Sequence, residues 1–326
     1  MKVIPGEPVP RDAPAPDPVA CRVAVVVVMY NSRSLLPELL ESLPDGLAGV
    51  DFELVAVDNA SPDDSADFVA AAAPLATVVR TGRNGGYAAG INAGVAAAGS
   101  HSAVLVVNSD VRLGPGCVAE LLKGLRQPGV GIAVPHLVDG NGRTIDSMRR
   151  EPSVLRAFGD AIFGAQNAGR CAALGEIVSD RNRYRSQHRV DWAEGSIQLI
   201  SADCWRECGP WDESFFLYSE ETEYHLRARD RGFATVFVPA ARATHLAGGS
   251  GLSHALWILQ VSNRIRLFRR RHGRLATGLY WAAIVLREST RAAMGRAGSR
   301  AAARALLRPR EVRTAADRWT EKGSGS

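Results

Sequence analysis

The sequence predicts an α/β fold: a doubly wound half of the nucleotide-binding type, a less regular second half, and a helical, basic C-terminal region. Three observations carry this. Runs of β-branched and apolar residues of strand length alternate with helical patterns of about ten residues as far as residue 111. That alternation stops after Pro135. Between Asn263 and Arg313 fourteen Arg face two acids, Glu288 and Glu311, although the whole chain carries only +5, so a basic appendage follows an acidic body.

In order, CRVAVVVVMYNS (21–32) is an unbroken apolar run closed by polar residues, which suits a buried parallel strand. PELLESL reads as a short amphipathic helix, FELVAVDNAS as a second strand and DDSADFVAAAA as a second helix. In VDNASPDDS (57–65), Ser61 as N-cap, Pro62 at the first helical position and Asp64 three residues after the cap predict a capping box, with Asp63 and Asp64 as helix-start residues. A short strand, ATVVRTG, leads through a Gly-rich turn into AAGINAGVAAAG, a helix of small residues, and then into the strand HSAVLVVNSDV. Ligands of such sheets bind beyond the carboxyl ends of the strands. The polar residues to inspect are therefore Tyr30, Asn31, Asp58, Asn59, Arg83 to Tyr87, and Asn108 to Asp110.

Asp58 at a strand end could accept the imide N–H of a uracil or thymine. RTGRNGGYAAGINAG (80–94) sets Gly-rich backbone before a helix N-terminus, the setting for phosphate or sugar recognition. It lacks the G-x-G-x-x-G spacing and the Walker lysine, and a plain turn explains it equally well. Asn108 and Asp110, two apart at a strand end, point to one side, where the acid suits a hard divalent ion.

HLVDGNGRTIDS predicts a hairpin at Asn141-Gly142. Residues 164–190, rich in Arg, Gly and Asn, read as a mobile loop. VDWAEGSIQLISADCWREC is strand then helix. FFLYSEETEYHLRARDRG (215–232) gathers Glu220, Glu221 and Glu223 at a helix start, with Glu223 set to pair with Arg227 at i+4 and Glu221 to face His225. ATVFVPAARATHLAG is a strand that exits at His245, and 252–307 is helical. GLYWAAIVL is about half the apolar length that spans a bilayer. Residues 1–20 read as a disordered leader, and five scattered cysteines fit a reducing cytoplasm without zinc or disulfide spacing. The Arg-rich region lacks the aromatic interleaving of nucleic-acid modules.

Six of these segments occur in order, VVVVMYNS, VDNASPDDS, RNGGYAAGINAG, NSDV, GPWDESFFLYSEETEYHLRARDRG and THLAGGS. Over about residues 22–273 the chain thereby resembles the inverting family 2 glycosyltransferases, most closely the rhamnosyltransferase-like branch that acts on lipid-linked cell-wall intermediates. The resemblance implies a GT-A fold with a mixed central sheet: a nucleotide-sugar-binding half at 21–136, an acceptor-binding and catalytic half at 137–250, and a basic helical region at 251–326 on the membrane surface. It implies transfer of a sugar, L-rhamnose from dTDP-rhamnose before a UDP-sugar, to a hydroxyl of a glycan or lipid-linked cell-envelope acceptor, with a natural-product acceptor as alternative. Carried over by motif, Tyr30, Asn31 and Asp58 hold the nucleoside base, while Asn84, Gly86, Tyr87, Asn92, Asn108 and Ser109 line the donor pocket. Asp110 and His245 take the metal positions for Mg or Mn, Glu221 the general base with Glu220 beside it, and Trp192, Glu194, Trp211 and Asp212 the acceptor wall.

The chain departs from the family pattern in writing Asn108, Glu221 and Glu223 where Asp is usual. A competing reading is therefore a nucleotide-sugar or membrane-surface binding protein weakened at those positions. A nucleotidyltransferase would need a basic catalytic loop near the first strand, which the sequence lacks. The implied partners are a dTDP- or UDP-linked donor, the glycan or lipid-linked acceptor and an anionic membrane surface, with no nucleic acid. A homodimer is compatible, and the implied location is cytoplasmic, peripheral at the inner face of the cell membrane.

Overall fold

The computed structural model describes residues 22–246 and 253–308, so the leader reading at 1–20 and the glycines after His245 lie outside the described residues. The first half runs Val23–Met29 (β1), Leu36–Gly46 (α1), Phe52–Asp58 (β2), Ser65–Ala72 (α2), Thr77–Arg80 (β3), Tyr87–Ala97 (α3) and Ala103–Asn108 (β4). Next come Val111–Leu113 (β5), Cys117–Leu125 (α4), Val130–Val138 (β6), Met148–Arg149 (β7), Val154–Phe163 (α5), Ala165–Ala168 (α6), His188–Val190 (β8), Trp192–Ala193 (β9) and Ile197–Ser201 (β10). Ala202–Cys208 (α7), Glu220–Asp230 (α8) and Ala234–His245 (β11) precede three helices, His254–Arg271 (α9), Arg274–Ala293 (α10) and Ala297–Leu307 (α11).

Nine strands form one mixed sheet in the order β3-β2-β1-β4-β10-β6-β11-β5, with β8 added on β11. The four strands from β3 to β4 are parallel, as the βαβ alternation predicts, and β10 enters antiparallel between β4 and β6. Successive residues of β1 feed opposite faces: Val23, Val25 and Val27 pack with α1 and α4 residues, Val26 with α3 residues. The small residues of α3 are explained by close approach to the sheet. A Cβ on Gly90 would stand 2.6 Å from Val28 Cγ1, and one on Gly94 2.4 Å from Val26 Cγ1. A separate core, built from Ala157, Val261, Phe268, Tyr280, Ile284 and Leu306, joins α5 to the last three helices.

Four expectations change. Helix α2 begins at Ser65, not after Ser61, and Asp64 occupies its N-cap without a side-chain bond. Ser61 Oγ instead accepts from Asn31 N at 3.1 Å, and Asp63 accepts from Arg33 N and from Ser65, so the polar residues of VDNASPDDS clasp the β1–α1 loop. Residues 164–190 hold α6, a 3-10 turn at 181–185 and β8, and Arg150 Nη1 donates to the carbonyls of Gly169, Gly175 and Ile177. The segment is thus tied to its neighbours, not a free loop. Glu221 does not face His225: that ring is 1% exposed, between Thr235 Oγ1 and Gln198 Oε1, and burial lowers it to about 3. The basic region is not an appendage, because α10 packs on α5 and Arg264 and Arg270 reach back to Glu176 and Asp212. The hairpin is present, with Gly142 at φ +75° and Val138 bridged to Thr144. Among the described residues no helix is long and apolar enough to cross a membrane.

Candidate active site

Beyond the carboxyl ends of β1 and β4 and the amino end of β10 lies a cleft of about 1180 Å³. At the end where β1 leaves the sheet Tyr30 is 53% exposed, and Asn31 takes the left-handed φ of +53° that Asn tolerates, its amide held by Ser61. Asp58, by contrast, sits behind the wall: it is 7% exposed, and its Oδ1 accepts from Ser61 N at 3.0 Å. Asn59, noted from the sequence only as a strand-exit residue, organises the turn. Its Nδ2 donates to Asn84 Oδ1 at 3.0 Å and to Gly86 O at 2.9 Å, and its Oδ1 accepts from Gly85 N.

Gly86 has φ +89° and ψ 178°, a conformation that only glycine adopts readily, and a Cβ there would stand 2.2 Å from Phe216 O. The next amide, Tyr87 N, donates to that same carbonyl at 2.9 Å. The 84–87 turn and the segment before α8 are therefore joined backbone to backbone. Tyr87 OH continues the link to Asn108 Oδ1 and Gly195 O.

At the acidic end, Asn108, Ser109 and Asp110 leave β4 and all line the cleft. Ser109 Oγ donates to Ser32 Oγ at 3.0 Å, which ties this turn to the β1 exit. The last residue of β11, His245, lies between two carboxylates: Nε2 is 3.2 Å from Asp110 Oδ2, and Nδ1 is 3.2 Å from Glu194 Oε1. Burial alone would lower the ring, but those two hydrogen bonds and charges more than offset it and push it up to about 10. Glu194 also accepts from Ser196 Oγ, and for all its burial these bonds hold it below the ordinary carboxylate range.

Helix α8 carries the remaining acids. Its N-cap Ser219 (φ +76°) and the preceding Tyr218 (φ +68°) are consecutive left-handed residues without glycine, a strained turn that needs outside support. Asn263 of α9 supplies it, Nδ2 donating to Leu217 O at 2.9 Å and Tyr218 O at 3.1 Å. Glu220 and Glu221 both line the cleft. Burial, moderated by backbone amides and raised further by Glu194, pushes the Glu221 carboxyl up to about 7. Burial and then the charge of Glu221 push Glu220 well above its ordinary range, and its Oε2 has no hydrogen-bond partner among the described residues. Glu223 turns away and pairs with Arg227 at 2.9 Å, as the i+4 spacing predicts.

Of the residues assigned to the acceptor wall, Trp192 and Glu194 line the cleft, although Trp192 is only 8% exposed and its Nε1 donates to Arg150 O. Trp211 and Asp212 do not. Trp211 is 1% exposed and stacks on Tyr224, and Asp212 pairs with Arg270. Asn92 also stands off the cleft. Its amide donates to Trp211 O and accepts from Trp211 N, which anchors that loop to α3.

Several lining residues carried no local signal in the sequence. Arg149 sits near Glu221 and Glu194, with its guanidinium over the Trp192 ring at 5.9 Å. Arg264, Arg287 and Arg291 reach the far arm from the basic helices, and there Arg264 pairs with Glu176 at 2.5 Å. Glu176, the counter-charge of Arg264, and the carbonyls under Asn263 lie tens of residues away in the chain, so only long-range contact reveals them.

The chain matches the model of glycosyl transferase family 2 over residues 24–177 and that of glycosyl transferase family group 2 over 103–306. An N-acetylglucosaminyl-diphospho-decaprenol L-rhamnosyltransferase of Mycobacterium tuberculosis is 29% identical over 235 residues, covering 68% of this chain and 75% of that protein. A low-salt glycan biosynthesis hexosyltransferase of Haloferax volcanii is 26% identical over 211 residues, 64% and 61% of the two chains. Among solved structures, a mannosyltransferase from Pyrobaculum calidifontis in complex with GDP-Man and Mn2+ superposes with a TM-score of 0.53 at 19% identity, covering 95% of this chain and 88% of that one. At that identity the likeness is one of fold.

Proposed function

Because the chain belongs to glycosyltransferase family 2 and is a glycosyltransferase with the GT-A fold, we propose that it transfers a sugar with inversion from a nucleoside diphosphate to a hydroxyl of a lipid-linked cell-envelope glycan. We take L-rhamnose from dTDP-rhamnose as the donor. The observation that carries this reading is Glu221, a carboxyl raised to about 7 in the same cleft as the strand-end donor residues and the Asp110–His245 pair. The 29% identity to an L-rhamnosyltransferase named for a diphospho-decaprenol acceptor supports the choice of sugar and acceptor.

The chemistry follows from placement. Tyr30, Asn31 and the Asn59–Asn84–Gly86 turn receive the nucleoside end of the donor, which puts its diphosphate toward Asp110 and His245. Glu221 takes the acceptor proton as the hydroxyl attacks the anomeric carbon from the face opposite the departing diphosphate. Arg149 helps keep Glu221 ionised at the moment of attack.

Among the described residues no three acids, histidines or cysteines are grouped as a complete metal site. The Asp110 carboxylate and His245 imidazole nevertheless fit Mg or Mn, since such ions bind through one or two protein groups and draw further oxygens from substrate phosphates and water. Glu194, on the other ring nitrogen, would fix Nε2 toward the ion. Bound there, the cation would neutralise the diphosphate as it leaves.

The reading is tested by offering nucleotide sugars one at a time and following nucleoside diphosphate release by mass spectrometry. dTDP-rhamnose is expected to turn over with Mg or Mn and to stop with EDTA, and Asp110→Asn is expected to raise the half-saturating metal concentration by about 10- to 100-fold. An intact donor in every trial overturns the proposal. Burial pushes the Glu220 carboxyl toward its neutral form, which Glu220→Gln resembles in shape and charge, so kcat is expected within about threefold of wild type. A loss at Glu220 as large as that at Glu221 would move the proton acceptor to Glu220.

A further inference from the structure

Twelve large apolar side chains are exposed among the described residues, and nine of them lie on α5, α10, α11 or the turn after α10. On α10, Leu275 (81% exposed), Leu279 (46%) and Leu286 (41%) recur at helical spacing on the face opposite Tyr280, Ala283 and Ile284, which are buried against α5 and α9. Beside this stripe, where α9 turns into α10, lies a concavity of about 490 Å³ walled by Arg269, His272, Arg274 and Trp281. Arg269 and Arg274 stand outside the ion pairs that occupy Arg264, Arg270 and Arg271. Residues 253–308 carry twelve Arg and one acid, Glu288, which is fully buried.

We propose that this α9–α10 corner docks on an anionic lipid bilayer, with Arg269 and Arg274 receiving lipid phosphates in the concavity and Leu275, Leu279 and Trp281 entering the headgroup and acyl boundary. Charge and shape select this occupant. An apolar stripe edged by arginine and a Trp at the rim is the pattern of a helix lying in a membrane interface, and a strongly positive face attracts anionic lipid. The opposite face of α10 walls the far arm of the cleft through Arg287 and Arg291, so docking would hold that arm about one helix diameter from the bilayer surface. The inference deepens the proposed function, and its lipid-linked acceptor rests on that reading. The docking itself does not.

The test is co-sedimentation of the full chain with vesicles of phosphatidylcholine alone or enriched in phosphatidylglycerol. The wild type is expected to sediment with the anionic vesicles only. Arg269→Glu with Arg274→Glu, and separately Leu275→Glu with Leu279→Glu, are each expected to lower the partition coefficient by about tenfold or more. Nucleoside diphosphate release from the donor in solution serves as the folding control and should match wild type in both variants. Variants that bind vesicles as wild type does, or a wild type that binds none, overturn the docking. So does a wild-type dimer that the Leu variants dissociate without any vesicle binding, which would give the face to a second copy. Failure of donor turnover in the wild type would sink the proposed transfer and leave the vesicle result standing.

Discussion

Glu221→Gln is expected to lower kcat by about 10²- to 10⁴-fold, the range over which a positioned general base contributes, while donor affinity stays within about threefold. The amide keeps the shape and hydrogen-bonding reach of the side chain but cannot take a proton. Equal losses of kcat and kcat/KM for the acceptor would mark an interaction made only in the transition state. The pH profile supplies an independent reading. Glu221 works ionised and its carboxyl is raised to about 7, so kcat/KM is expected to rise with pH through about 7 and level off above it. A non-catalytic binding protein shows neither behaviour, and a variant as active as wild type removes Glu221 from the role.

Stability should move the opposite way. A carboxyl raised above its unfolded value of about 4.3 contributes most when protonated, below that unfolded value, and its contribution is lost as pH rises through the folded value. Thermal melts should therefore show Glu221→Gln more stable than wild type at pH 8, with the difference shrinking by pH 5 and closing only below about pH 4. The Glu in place of the usual Asp sharpens this. Gly195 stands so near that a Cβ on it would lie 3.1 Å from Glu221 Cβ, so the helix start is packed directly against the Glu194 loop. Glu221→Asp withdraws the carboxylate by one C–C bond from a backbone that cannot follow, and is expected to lose rate by about 10²-fold.

What could be read from the sequence was the part written in local period. VAVVVVM and AVLVVN became adjacent buried strands, and the Glu223–Arg227 pair formed because its spacing needs nothing beyond one helix. Ser61 and Asp63 were misread for a physical reason. A hydroxyl and a carboxylate before a helix can satisfy either that helix's amides or those of another loop, and here Asn31 and Arg33, some thirty residues earlier, compete successfully. Trp211 and Asp212 likewise follow the segment order of the family, but burial against Tyr224 and pairing with Arg270 are decided by α8 and α9. The arginines of the last helices read as a basic appendage because Glu176, Asp212 and Glu151 are invisible as partners until the chain folds back.

Gly86→Ala is expected to cost on the order of 10²-fold in kcat/KM for the donor, although residue 86 offers no side chain to any substrate. Two effects combine. Alanine at φ +89° and ψ 178° carries strain of about 1–3 kcal/mol. Its methyl would also stand 2.2 Å from Phe216 O, a backbone atom that the Tyr87 amide holds at 2.9 Å, so relief requires breaking that bond and moving the 216–219 segment. That segment ends in the left-handed Tyr218 and Ser219, whose carbonyls and cap position Glu220 and Glu221, and Asn263 pins it from the far side. A displacement there carries the base away from the acceptor and opens the Asn59–Asn84 turn against the donor at once. Gly209 provides the control. It shares the same unusual conformation, φ +74° and ψ −172°, but a Cβ there meets nothing within 4 Å. Both alanine variants should melt several degrees below wild type, as about 1–3 kcal/mol requires for a chain of this size. Only Gly86→Ala should also lose turnover, because only there does the added methyl press on the carbonyl that joins donor turn to catalytic helix. Equal kcat/KM in the two variants would show that the join between donor turn and helix α8 has no part in positioning Glu221.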